Sequence, residues 1–208
     1  MTDCRIYITG ITGGIGAGKS IVSRLLRLKG YCVYDCDYDA KRLMNSDAGL
    51  QNTLRNVFGS DIIQLSGNID RAALGALVFS KPELLEKLNS IVHPAVKNDL
   101  LLWAANHAKS QQPLFVESAI LASSGISDCC NDVWYVDAPQ EARIRRVMAR
   151  NSLNEETVRE RIKAQEREAE RLYDSDLRIN SFCNDKDTSL LDTVNRLLEN
   201  FNQQYNQC

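Results

Sequence analysis

The sequence predicts an α/β fold, a three-layer core in which a parallel β-sheet is flanked by helices, with a long helical insertion and a helical lid added to it. The first sign is a β-branched and aromatic run, Arg5–Thr9, that passes through a glycine-rich turn into Ser20–Leu28, where Val22, Leu25, Leu26 and Leu28 recur at helical spacing. Gly30 closes that helix and Tyr31–Tyr34 reads as a second strand, so the chain opens with a βαβ unit. After a mostly helical stretch from Ala40 to Lys109, the alternation resumes with two apolar runs, Leu114–Val116 and Val133–Val136, each ending in an acid, Glu117 and Asp137.

The remaining elements follow from local signals. Leu50, Leu54, Val57 and Phe58 share one helical face that stops at Gly59, and His93-Pro94 is expected to break or kink the helix that carries it. Pro139 opens a helix through Arg150, and Ser152–Glu155 begins another that runs to about Tyr173. Asp176–Asn180 is the last short strand, and Leu190, Leu191, Val194, Leu197, Leu198 and Phe201 form the apolar stripe of a closing helix.

A chain of 208 residues with 44% hydrophobic and 25% charged residues suits one globular domain carrying insertions. Its formal net charge of -2 gives no general attraction to nucleic acid or an anionic membrane, so an anionic ligand needs a local cluster of cations or backbone N–H groups. The seven cysteines, Cys4, Cys32, Cys36, Cys129, Cys130, Cys183 and Cys208, are odd in number and form no CxxC pair, which points to reduced thiols. No basic segment leads into an apolar leader and no run reaches the roughly twenty apolar residues of a membrane span. A cytoplasmic monomer acting on small molecules is therefore expected.

Gly13-Gly14-Ile15-Gly16-Ala17-Gly18-Lys19-Ser20 matches G-x-x-x-x-G-K-[ST] between a predicted strand and a predicted helix, the context in which this motif is a phosphate-binding loop, or P-loop. Its glycines let the backbone curl so that N–H groups face phosphates at a positive helix end. Lys19 then reaches the β- and γ-phosphates, and the Ser20 hydroxyl is a ligand for Mg²⁺. The nucleotide-binding set accordingly runs from Gly13 through Ile21, with ATP as donor.

A P-loop by itself does not separate a kinase from a hydrolase or a switch. Asp37 follows the second strand, at the same carboxyl edge of the sheet as the glycine loop, where a carboxylate accepts the proton of an attacking hydroxyl; the competing role is a cap for a helix starting near Asp39. Asp35 reads as structural. Glu117 stands where an acid holds a magnesium-bound water or positions substrate, while Asp137, just ahead of Ala138-Pro139, reads as a helix cap. Arg143, Arg145, Arg146 and Arg150 crowd one helix and Arg159, Arg161, Arg167 and Arg171 the next, interleaved with glutamates that are natural ion-pair partners. Arg146 and Arg150, one turn apart on a common face, are the pair best placed to meet phosphate oxygens.

Together these residues resemble the dephospho-CoA kinase family over nearly the whole chain. The resemblance rests on Ile11–Ser20, Asp35 and Asp37, Ile69-Asp70-Arg71, His93-Pro94, Pro113-Leu114 leading to Glu117, Arg146 with Arg150, Gln165, and Asp176 leading to Asn180. It implies a nucleotide-binding core (1–39, 110–140 and 174–208), a CoA-binding helical insertion (40–109) and a lid (141–173). It implies ATP-dependent phosphorylation of the ribose 3′-hydroxyl of dephospho-CoA, with Lys19, Asp37, Arg146 and Arg150 catalytic, and with Arg71, His93 and Glu117 beside Asp37 at the substrate. Arg143 departs from the glutamine often found there, Ile21 from the usual threonine, and Ser181 from the glycine often seen after Asn180. A nucleoside or nucleotide kinase would share the loop, the acid and the arginines. A nucleotide-gated switch is the alternative of another class, against which stands the lack of an N-K-x-D motif.

Overall fold

Gly10 decides where the first strand runs. A Cβ added there would lie 2.7 Å from Leu121 Cδ2 and 3.2 Å from Cys130 Sγ, so the backbone passes where no side chain fits. The strand is β1 (Ile8–Gly13), buried along its whole length, rather than Arg5–Thr9. Its Thr and Gly residues look like turn material locally, but parallel pairing with a neighbour on each side holds them extended. The computed structural model describes residues 6–108, 112–185 and 189–205, so Cys4, Arg5, Lys109, Ser110 and Cys208 lie outside the described residues.

The chain divides into two compact units, Tyr34–Asn106 and the residues that flank it. The flanking unit holds β1, β3 (Leu114–Glu117), β4 (Asp132–Asp137) and β5 (Arg178–Cys183) of a five-stranded parallel sheet, and the division falls inside its remaining strand, β2 (Val33–Asp35), in the order β2-β3-β1-β4-β5. β2 is joined to β3 where the Phe115 N–H donates to the Cys32 carbonyl at 3.0 Å. β5 begins later than the expected Asp176 because its register is set by β4, from Asp132 opposite Arg178 to Asp137 opposite Cys183. Buried Asp132 ties three strands, accepting from the Thr9 hydroxyl at 2.6 Å and the Asn180 amide at 3.4 Å. Burial raises its pKa, against the pull of the Thr9 bond and of Arg178.

Against the sheet pack α1 (Lys19–Leu28) and α9 (Leu190–Tyr205). Val22, Leu26, Val194 and Leu198 meet Ile11, Phe115, Trp134 and Val136 in one core, with the Phe115 and Trp134 rings edge-on at 5.2 Å. Leu28, expected on that face, is 78% exposed, since two residues past Leu26 the helix has turned it away. Beyond β4 come α6 (Gln140–Asn151), α7 (Glu155–Ala164) and α8 (Glu166–Tyr173). The single helix expected to run to Tyr173 is thus two, separated at Gln165. Ile144 and Val147 of α6 and Val158 and Ile162 of α7 form a small second core.

The other unit is helical: α2 (Cys36–Ser46), α3 (Ala48–Phe58), α4 (Arg71–Phe79) and α5 (Pro82–His107). Of the break or kink expected at His93-Pro94 there is no break, since α5 runs on through Pro94; Val92, Val96, Leu100 and Ala104, at steps of four, keep one buried ridge continuous across the proline. Val57, expected on the apolar face of α3, is 39% exposed, whereas Leu50, Leu54 and Phe58 are buried. The Tyr34 phenol donates to Asp99 at 2.7 Å, and burial together with this bond raises its pKa far beyond the usual range. Among the described residues no helix is long and apolar enough to cross a membrane.

Ser23 lies on the buried face of α1 and its hydroxyl makes no hydrogen bond among the described residues. An unpaired buried hydroxyl costs about 1–3 kcal/mol, so Ser23→Ala is expected to leave stability unchanged or raise it by about 1 kcal/mol in urea unfolding. A loss larger than about 1 kcal/mol would show that the hydroxyl has a partner after all.

Candidate phosphate-binding site

The loop between β1 and α1 is built by backbone geometry. Gly13 has φ 143, and a Cβ there would lie 1.9 Å from the Val136 carbonyl oxygen, so the end of β1 presses against β4 with no room for a side chain. The Ala17 N–H closes a turn on the Gly14 carbonyl at 3.1 Å, and Gly18, with φ 111, is the N-cap of α1. Lys19 and the exposed Ser20 therefore begin the helix, at its positive end. The Lys19 ammonium donates to the carbonyls of Gly13 at 2.7 Å and Gly14 at 3.3 Å, folded over the loop it serves. Ile21, 51% exposed, donates its N–H to the Gly18 carbonyl at 2.9 Å.

Side chains from distant segments hold the loop's other backbone groups. Arg143 Nε donates to the Ile15 carbonyl at 3.0 Å. The Arg146 guanidinium donates to Gly16 O at 3.2 Å, to Ala17 O at 3.5 Å and to Asn184 O at 2.9 Å. Asn184, just past β5, donates to Ala17 O at 2.7 Å, and the Ile15 N–H donates to Gln165 Oε1 at 2.6 Å. Behind the loop, a narrow space is bounded by Thr12, Gly14, Ala119, Tyr135 and Gln165. Burial, reinforced by Asp137, raises the Tyr135 pKa, so it stands there as a neutral phenol.

Of the expected site residues, the sheet unit brings together the loop, Arg146 and Glu117. Glu117 ends β3 in register with Ile11, two residues before Gly13. Arg150 lies at the exposed end of α6, where its Nε donates to Asn151 Oδ1 at 2.9 Å. Asp37, Arg71 and His93 belong to the helical unit. Asp35 caps α2, accepting from the Tyr38 N–H at 3.0 Å, and Asp37 is an exposed residue of that helix's first turn. Arg71 opens α4 next to its cap, Asp70, and is exposed; His93 is half-buried on α5.

Asp137 does not cap α6. Pro139 occupies the N-cap position and no side chain caps the helix, while the Asp137 carboxylate folds back onto the neighbouring Ala138 N–H at 2.8 Å and stands 3.9 Å from Arg143 Nη1. The solvated ion-pair reading of the lid arginines holds for Arg159, which meets Glu141 at 3.0 Å and Glu155 at 2.7 Å. Three side chains that bond the loop, Arg143, Gln165 and Asn184, have no role at it in the sequence reading. Arg143 did carry a signal, standing three residues before Arg146 on the same helical face; for Asn184 no local signal exists.

Among the described residues no three His, Cys, Asp or Glu side chains gather into a metal cluster. One hydroxyl, Ser20, and one nearby strand-end acid, Glu117, fit Mg²⁺, an ion that keeps several waters and takes phosphate oxygens for its remaining ligands.

A family model described as dephospho-CoA kinase matches residues 7–187. A dephospho-CoA kinase of Porphyromonas gingivalis is 44% identical over 160 residues, covering 76% of this chain and 77% of its own. A solved structure from Thermus thermophilus superposes with a TM-score of 0.73 at 35% identity, covering 96% of this chain and 98% of that one. Dephospho-CoA kinase from Campylobacter jejuni superposes with a TM-score of 0.66 at 22% identity over 96% and 98% of the two chains, a likeness of fold.

Proposed function

The chain belongs to the dephospho-CoA kinase family, and we propose how its own residues carry the reaction, in which the γ-phosphoryl group of ATP passes to the ribose 3′-hydroxyl of dephospho-CoA to give CoA and ADP. The observation that carries the reading is the glycine loop capped by Gly18, with Lys19 and Ser20 at the start of α1. A helix N-terminus binds phosphate oxygens through its positive end, and Lys19 exchanges the loop carbonyls for the β- and γ-phosphates. Ser20 would supply the protein's hydroxyl ligand to Mg²⁺ and Glu117 would orient a water of that ion, whose charge would offset that of the phosphate oxygens.

Asp37 is the proposed base. Asp35 already caps α2, which leaves the Asp37 carboxylate exposed in the first turn and without a capping role. Only three residues separate it from Val33, the last residue of the sheet unit before the division. Asp37 takes the 3′-hydroxyl proton as the ribose oxygen bonds to the γ-phosphorus and the bond to the leaving ADP oxygen breaks. Arg71 and His93, from the same helical unit, hold the CoA substrate. Arg150 reaches the transferring phosphoryl oxygens when the lid closes, which also keeps water from competing with the ribose. Arg146 acts beside it, from the loop carbonyls on which it rests. The thiols of Cys32, Cys36, Cys129, Cys130 and Cys183, none of them in a disulfide, suit a reducing, cytoplasmic setting.

A coupled assay with ATP, Mg²⁺ and dephospho-CoA is expected to give ADP well above the ATPase background; faster turnover of a nucleoside or nucleoside monophosphate would replace the acceptor. Asp37→Asn is expected to lower kcat by about a hundredfold to ten-thousandfold while ATP affinity by calorimetry stays near wild type. Wild-type turnover in that variant would remove the base. Arg150→Ala is expected to lower kcat more than it weakens ATP binding, because its contact forms on closure; an unchanged kcat would make Arg150 an ordinary surface charge.

A further inference from the structure

We propose that the lid governs the phosphate loop chiefly at Ile15, which it grips by backbone and side chain alike, and that Gln165 is a positioning residue for nucleotide binding. This rests on the reading of Gly13–Ser20 as the phosphate site. Every part of Ile15 is held by the segment that follows β4. Its N–H donates to Gln165 Oε1 at 2.6 Å, its carbonyl accepts from Arg143 Nε at 3.0 Å, and its side chain packs on the core of Ile144, Val147, Val158 and Ile162. No other loop residue is gripped in this way among the described residues.

Gln165 is itself fixed from both sides. It stands where α7 ends and α8 begins, its N–H bonded to the Ile162 carbonyl at 3.0 Å. Three residues on, the Glu168 carboxylate accepts from the Ala122 N–H at 2.5 Å and the Ser123 N–H at 3.2 Å, anchoring α8 to the turn after β3. The junction of two lid helices is thus pinned to the sheet and presents one neutral acceptor to the loop. Neutrality matters, because a carboxylate at this point would make the same hydrogen bond while repelling a triphosphate. A loop whose third residue is already held in place loses less freedom when the nucleotide arrives, which tightens binding without a new contact to the ligand. Any shift of the α7–α8 junction moves Ile15 with it, so lid position and loop shape change together.

The test uses the full chain. ATP affinity is measured by calorimetry without acceptor for wild type, Gln165→Ala, Gln165→Glu and Lys19→Ala, and exchange of the Ile15 amide is followed by NMR. Gln165→Ala is expected to weaken ATP binding about tenfold, the worth of one lost hydrogen bond, to speed Ile15 exchange, and to leave the KM for dephospho-CoA unchanged. Gln165→Glu is expected to keep the slow exchange yet bind ATP more weakly than wild type, a split that simple loss of stability does not produce. It carries the test alone if Gln165→Ala does not fold. ATP binding by Gln165→Ala equal to wild type overturns the proposal, as does tighter binding, which would make Gln165 a competitor for the Ile15 amide. If Lys19→Ala also binds ATP normally, the phosphate-loop reading fails; if only Lys19→Ala loses binding, that reading stands and the role of Gln165 falls.

Discussion

A loop that turns its amides toward an anion turns its carbonyls away from it, and those carbonyls then need donors. In this chain the donors are charged or amide side chains. Lys19 takes the carbonyls of Gly13 and Gly14, Arg143 that of Ile15, Arg146 those of Gly16 and Ala17, and Asn184 that of Ala17 again. Most of the site's architecture follows from meeting this one requirement. α6 has to run close enough for two arginines on one face to reach the loop, and β5 has to end where Asn184 can. The bonds on its rear surface hold the loop curled.

The sheet sets where that loop can be. Gly13 is wedged against the Val136 carbonyl, and Gly10 passes beside Leu121 and Cys130, so β1 sits at the centre with β3 and β4 on either side. The core under α1 and α9 then fixes the direction in which α1 leaves the loop. The loop, Glu117 and the α6 arginines belong to the sheet unit, and Asp37, Arg71 and His93 to the helical one.

Residues with strong local signals were read correctly from the chain alone. Leu114–Glu117 and Val133–Asp137 are strands as expected, since a short apolar run closed by an acid has few other uses in a parallel sheet. The errors lie where a partner overrides local preference. β1 was placed too early because Thr9, Gly10 and Thr12 are strand residues only by virtue of their neighbours, and Asp137 lost its expected cap because Pro139 took that position. The sequence marks Arg146 by the face it shares with Arg150 and leaves Arg143 among the ordinary arginines of the helix, although it too bonds the loop.

By itself the sequence determined the α/β class, the phosphate loop and its helix, the acid after β2, and the family, because each is written in residue types at short, fixed spacings. Only the tertiary structure decided which side chains hold the loop. Arg143 and Ile15 are 128 positions apart, Gln165 and Ile15 150, and Asn184 and Ala17 167. Hydrogen bonds across such separations are chosen by how the sheet and the helices after β4 pack, and no local pattern of residues encodes them.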